Sequence, residues 1–469
     1  MKLDVTVKNL GQIREATFQV RPVTVITGPN GTGKSFFTKA LYSVLNVINK
    51  NVYHQSITGT IKQIQLQLDT LNESIKNDVD IEILESIKTD LKQLISEFES
   101  ASSWKIQEYF SFASSRVSVI ENMRNRFNGY IDSLKITFTK LEHVASTIDA
   151  LNNNFDDFLF KLNNPIQHCV HIFSIQLSNE LKDNFQISSL AELINYAEDK
   201  SKIHINQLLT IEINGVEKIG FEIAEDFIYE IDRFLSVVYF ESPAYWRVRG
   251  ALRLAKEHRP GLLESIYRFF AGKQENVLSG VPKYFYELDE ALSAKTKLEP
   301  IFIEASQRLK DILGGEFVFK GSDLSFKNNT GNVISKNLVS LGMTNLGIIH
   351  ALLRQNLITA GSFIFIDEPE TNLHPDWQVK LVDVLLLLAN AGVNVVMTTH
   401  SQDFAKALEV CIKKMQLSAE ALDDFLSVHY LDHGGQLYPF ESDNKLQQLI
   451  EARELLSMAY QELYFSDLH

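Results

Sequence analysis

Gly28-Pro29-Asn30-Gly31-Thr32-Gly33-Lys34-Ser35, standing directly after the apolar run Val23-Thr24-Val25-Ile26-Thr27, has the composition of a loop that wraps phosphate. Small residues let consecutive backbone N–H groups point inward, the lysine reaches the terminal phosphate oxygens, and the hydroxyl serves a magnesium ion. Gly28, Asn30, Gly31, Thr32, Gly33, Lys34 and Ser35 are the expected phosphate-binding set, with Ser35 also a metal ligand. The order of strand, glycine-rich loop and helix-compatible run predicts an α/β fold.

Magnesium chemistry on a nucleoside triphosphate calls for a carboxylate at the end of an apolar strand and a second acid to act on the attacking water. Phe363-Ile364-Phe365-Ile366-Asp367-Glu368 supplies both, with Asp367 expected on the metal and Glu368 on the water. An unbroken apolar run reads as a strand buried on both faces, so its acids emerge at the carboxyl end, where ligands bind in open α/β sheets.

Around these motifs, Lys2 to Val7 and Glu15 to Val20 read as strands joined through Asn9 and Gly11. Between Lys34 and Pro165 there is no proline, and only Gly59 and Gly129 interrupt the stretch before Gly215, which frees it to be helical. Ile61, Ile64, Leu68, Leu71 and Ile75 form one apolar seam, and Leu84, Ile87, Leu91, Leu94 and Phe98 a second. The seams fit a hairpin or one helix with a break at Asn77-Asp78, and their shortness favours a compact bundle over a long solitary coiled coil. Strand texture returns at Leu208 to Ile213, Lys218 to Ile223 and Leu235 to Phe240, and a helical stretch is expected near 283–313. In the last third, strands alternate with helical segments as in a parallel sheet covered by helices. The expected division is 1–49 and 206–469 for an α/β head and 50–205 for a helical insertion.

Apolar residues make up 45% and charged residues 22%, which places the chain among globular proteins rather than disordered ones. No apolar run reaches the roughly 18 to 20 residues of a membrane helix, and the first residues lack a signal-peptide pattern, so a cytoplasmic protein with no membrane partner is expected. Cys169 and Cys411, far apart, exclude a disulfide framework or cysteine zinc site and are expected as buried thiols. A net charge of −14 argues against broad affinity for nucleic acid. Arg247, Arg249, Arg253, Lys256, His258 and Arg259 form a local basic cluster, open to three readings: a nucleic-acid contact, a group near nucleotide or partner, or a solvated helix start paired with acids.

Asp367-Glu368-Pro369-Glu370-Thr371-Asn372-Leu373-His374-Pro375, together with the opening Lys8-Asn9-Leu10-Gly11 to Phe18, resembles the ABC-type ATPases related to SMC, RecF and the OLD family. That resemblance implies an ABC-type P-loop ATPase head with a large helical, coiled-coil-like insertion, and ATP and Mg2+ as its ligands. It implies a γ-phosphate-sensing histidine after the next strand, met by His400 in Val395-Val396-Met397-Thr398-Thr399-His400, so Glu368 and His400 are the expected catalytic pair. It also implies a Ser-x-Gly signature that one subunit presents to ATP held by another, met by Ser340-Leu341-Gly342 before a helical run. A homodimer or higher homo-oligomer follows from that sharing. No glutamine or adenine-stacking aromatic is assignable. In texture the chain is similar to stand-alone OLD-like ATPases of bacterial anti-phage systems of the Septu, PARIS and retron kinds, which implies a sensor ATPase controlling a separate nuclease or toxin effector. A RecF- or SMC-like repair ATPase and an ATP-gated scaffold are the other readings.

Overall fold

The computed structural model describes residues 2–466 except 76–80, 138–143, 216–218, 225, 234, 242, 258–279, 295–299 and 322. Its strands are β1 (Leu3–Leu10), β2 (Ile13–Val20), β3 (Val23–Thr27), β4 (Lys200–Ile205), β5 (Leu209–Asn214), β6 (Ile219–Ile223), β7 (Val237–Phe240), β8 (Gly315–Lys320), β9 (Asp323–Asn328), β10 (Val333–Ser335), β11 (Phe363–Asp367), β12 (Asn394–Thr399) and β13 (Leu426–Tyr430). The chain divides into two units, one of Met1–Asn49, Leu177–Glu222 and Arg233–His469, the other of Lys50–Gln176 with Ile223–Asp232.

The first unit is built on a parallel sheet in the order β13-β3-β12-β11-β7. β3, β12 and β13 are buried at every residue, as expected of strands covered on both faces. The carboxyl ends of β3, β11 and β12 bring Thr27, Asp367 and Thr399 to one edge of the sheet, since Thr399 pairs with Thr27 and Thr398 with Asp367. A second sheet, antiparallel, runs β2-β1-β4-β5-β6. The alternating pattern of β1 points Leu3, Val5, Val7 and Leu10 inward, and Gly11, with φ +56°, makes the tight turn into β2. A third sheet runs β10-β9-β8.

The helix after the phosphate loop, α1 (Lys34–Asn49), is buried along most of its length. Asn46 donates to Glu180 Oε1 at 2.7 Å and Asn184 to Ser43 Oγ at 3.0 Å, so the last turns of α1 lie beside residues 180–184.

The second unit is helical: α2 (Val52–Ile75), α3 (Glu82–Ser100), α4 (Ile106–Ser115), α5 (Val117–Thr137), α6 (Ala145–Asn163) and the first part of α7 (Pro165–Phe185). Both apolar seams are buried throughout, on α2 and α3 as two separate helices. α2 packs on α3 and α6, and α5 on α3 and α6, which makes a compact bundle rather than a solitary coiled coil.

Three expectations are corrected. The insertion does not extend to residue 205, because β4 pairs with β1 and residues 177–222 belong with the sheets, while Ile223–Asp232 joins the helices. The stretch near 283–313 is two helices, Lys283–Ser293 and Ile303–Leu313. Cys169 is buried, whereas Cys411 is only half-buried. Among the described residues no helix is long and apolar enough to cross a membrane.

Candidate functional site

Residues 28–33 bend sharply between β3 and α1, with Gly28, Gly31 and Gly33 at φ +134°, +79° and +101°. A Cβ on Gly28 would stand 2.1 Å from the Leu431 carbonyl oxygen, so that position accepts no side chain. Thr32 braces the turn by donating to Pro29 O at 3.0 Å. Lys34 Nζ donates to Gly28 O at 2.8 Å and Pro29 O at 2.6 Å, which holds the ammonium over the loop. Burial lowers the Lys34 pKa to about 8, against the pull of Glu368 and Asp367. A buried cation cupped by inward-facing backbone fits the terminal phosphates of a nucleotide.

Ser35 Oγ donates to Asp367 Oδ1 at 2.9 Å, and Thr398 donates to the same oxygen. The hydroxyl and carboxylate that sequence assigned to one metal ion are thus adjacent. Magnesium sites in phosphate chemistry use few protein oxygens, and among the described residues no larger His, Cys, Asp or Glu cluster is present.

Glu368 has φ +49°, a left-handed geometry unusual for a side-chain-bearing residue, pinned by its N–H donating to Thr398 O at 3.2 Å. Its Oε1 lies 3.1 Å from His400 Nε2 and its Oε2 accepts from Thr371 Oγ1 at 3.3 Å. Burial, followed by the Lys34 charge, lowers the His400 pKa, with Glu368 opposing. Glu370 faces away from the loop: its Oε1 accepts from Thr399 Oγ1 at 2.6 Å, His400 N at 3.1 Å and Ser401 N at 3.3 Å. Burial raises the Glu370 pKa.

A cleft of about 480 Å³ is lined by Asn30, Gly31, Gly33, Lys34, Ser35, Phe36, Glu368 and His400 together with Gly11, Gln12, Glu192, Ile194 and Tyr196. That volume lies within the range of cofactor sites. Ser340 and Gly342 do not line it. Ser340 caps the helix Leu341–Arg354 by accepting from Met343 N at 3.1 Å, and a Cβ on Gly342 would meet Asn372 O at 2.4 Å. Asn345 Nδ2 donates to Thr371 O at 3.2 Å, so this helix lies directly against the loop that follows Glu368.

Two residues of the basic cluster, Arg249 and Arg253, are turned to structural use, while Arg247 is exposed. Arg249 is fully buried, pairs with Asp289 and donates to Asp323 O and Gly321 O at 2.9 Å each, and Arg253 Nε shares Asp289 at 3.0 Å. These arginines tie a helix to the β8–β9 hairpin, while His258 and Arg259 lie outside the described residues. Sequence reasoning missed the Glu370 clamp and the 192–196 segment. The first was legible as a third acid in the same motif; the second carries no motif and meets the loop only in the fold.

The family described as AAA ATPase domain, AAA_15, matches residues 1–405. The chain belongs to this family. Solved structures similar to it include the SMC head domain from Thermotoga maritima, with 11% identity, a TM-score of 0.36, and coverage of 94% of this chain and 100% of that one. A Pyrococcus furiosus Smc head domain with an extended coiled coil, bound to the C-terminal domain of ScpA, has 10% identity, a TM-score of 0.39, and coverage of 96% and 98%. No protein of curated function matches this member of the AAA_15 family.

Proposed function

We propose that the chain is an ABC-type switch that binds and hydrolyses ATP. The observation carrying this reading is that Lys34, Ser35, Glu368 and His400 line one cleft, with Glu368 and His400 in contact. Lys34 and the loop N–H groups bind the terminal phosphates, and Ser35 and Asp367 would hold Mg2+, which supplies charge neutralisation there when bound. Glu368 accepts a proton from the attacking water, and His400 orients Glu368 and reads the terminal phosphate. Ser340 and Gly342, outside the cleft of their own chain, serve the ATP of a second copy, which makes the working form a homodimer or higher homo-oligomer.

The output lies outside the chain. A regulatory ATPase of bacterial anti-phage defence, controlling a separate effector nuclease or toxin, suits a nucleotide switch whose described residues hold no further metal cluster. The pairing of buried Arg249 and half-buried Arg253 with Asp289 weighs against the repair reading, which needs a nucleic-acid surface. Steady-state ATP hydrolysis tests the proposal: the protein should turn ATP over, Lys34→Ala should not, and DNA should leave the rate unchanged. Turnover that survives Lys34→Ala would sink the cleft assignment, and strong stimulation by DNA would restore the repair reading.

A further inference from the structure

The loop that runs from Glu368 to Asn372 has left-handed backbone at both ends, φ +49° at Glu368 and +63° at Asn372, on residues that carry side chains. Such geometry persists only where the surroundings hold it. Within the loop, Thr371 N donates to Glu368 O and Leu373 N to Glu370 O, each at 3.0 Å. The helix Leu341–Arg354 supplies further support. A Cβ on Gly342 would meet Asn372 O at 2.4 Å, and the buried Asn345 donates from Nδ2 to Thr371 O at 3.2 Å. Thr371 in turn donates from Oγ1 to Glu368 Oε2 at 3.3 Å. The other half of the Asn345 amide, Oδ1, is buried and has no hydrogen-bond partner among the described residues. An apolar side chain would leave no such acceptor unmet, so the bond to Thr371 is what the amide contributes.

This line of contacts has its ends at two different nucleotides. Ser340, the N-cap of the helix, serves the ATP of a second copy, whereas Glu368 lines the chain's own cleft. A ligand shifts an element only by binding one of its positions better than another, and Ser340 and Gly342 stand where that preference acts on the helix. Resting on the shared-site reading above, we propose that Asn345 is the positioning residue through which ATP engaged by Ser340 sets Glu368 of the same chain. Each chain then hydrolyses its own ATP faster once the second copy's is in place.

Steady-state hydrolysis against ATP concentration tests this on the full-length protein. The unaltered dimer should give a sigmoidal curve with a Hill coefficient between about 1 and 2. Asn345→Ala should bind ATP as before in equilibrium titration, lose the sigmoid, and fall about tenfold in maximal rate, within the range of couplings between sites. Thr371→Val cuts the next link while keeping the side-chain shape, and should do the same. The mixed dimer of Ser340→Arg with Lys34→Ala separates coupling from a role in holding the fold, because only one of its sites can turn over ATP. Adding Asn345→Ala to the Ser340→Arg chain, whose Glu368 serves that site but whose helix faces the empty one, should cost little further. A hyperbolic curve from the unaltered protein, an Asn345→Ala dimer as fast as the unaltered one, or the same tenfold loss in the mixed dimer would overturn the proposal. Mixed dimers inactive before Asn345 is changed would instead refute the shared site, and this proposal with it.

Discussion

At the scale of single residues, Glu368 and Glu370 are two acids in one short motif with separate tasks. Glu368 touches His400 and the cleft, while Glu370 binds the backbone of His400 and Ser401 from behind. Glu368→Gln keeps the shape and loses the base, so ATP should bind while turnover falls by about 10²- to 10⁴-fold. Glu370→Gln retains an acceptor oxygen for the three donors and should keep most activity. Glu370→Ala releases the His400 loop and should cost on the order of tenfold in rate with ATP affinity kept. Single-turnover and equilibrium measurements on the three variants separate these outcomes; the reverse order, with Glu370→Gln dead and Glu368→Gln active, would transfer the catalytic role to Glu370.

Among elements, the helix Leu341–Arg354 carries the test of subunit sharing. Ser340→Arg places a bulky charge at its N-cap, outside its own cleft, and should abolish turnover while a single chain still binds ATP. Mixed dimers of Ser340→Arg and Lys34→Ala contain one composite site with both lesions and one with neither, so activity should partly return; confirmed mixed dimers without activity would refute sharing. Strand β13 carries a pH prediction. Burial lowers the pKa of His429 to about 4, where its Nε2 donates to Gln19 O at 3.1 Å. The unfolded chain takes up a proton near pH 6.5, which the folded protein refuses until about pH 4, so stability present above 6.5 is lost as pH falls through that window, by roughly 3 kcal/mol at most. His350, also lowered to about 4, adds to the same loss. Thermal unfolding at pH 7 and pH 5 should show a smaller drop for His429→Gln, and an identical drop would remove β13 from the account. β1 was legible from its period-two alternation, β3 and β11 from unbroken apolar runs and the phosphate loop from its glycines, all of them local signals. β4 was not, because Lys200–Ile205 reads as a strand only beside β1, and Arg249 looked like surface until Asp289 met it in space.

For the whole molecule, the helical unit is separable in principle. Asn46 and Glu180 are hydrogen-bonded, so a short linker in place of Asn51–Gln176 rejoins neighbouring turns. Phe227, Ile228 and Ile231, buried in the helical unit, would need polar replacements. Such a variant should bind ATP with unchanged affinity and lose association with the effector or with further copies. Retained association in gel filtration and co-purification with the native partner would place that interface on the head. The sheet order has another consequence, for synthesis on the ribosome. β3 lies between β12 and β13, and its Thr27 hydroxyl donates to Thr399 O, 372 positions later in the chain. Every residue of the helical unit has been synthesised by residue 232. The strands on either side of β3 arrive only with Asn394–Thr399 and Leu426–Tyr430, so the residues of the bundle are all synthesised well before the sheet that seats the phosphate loop can be completed.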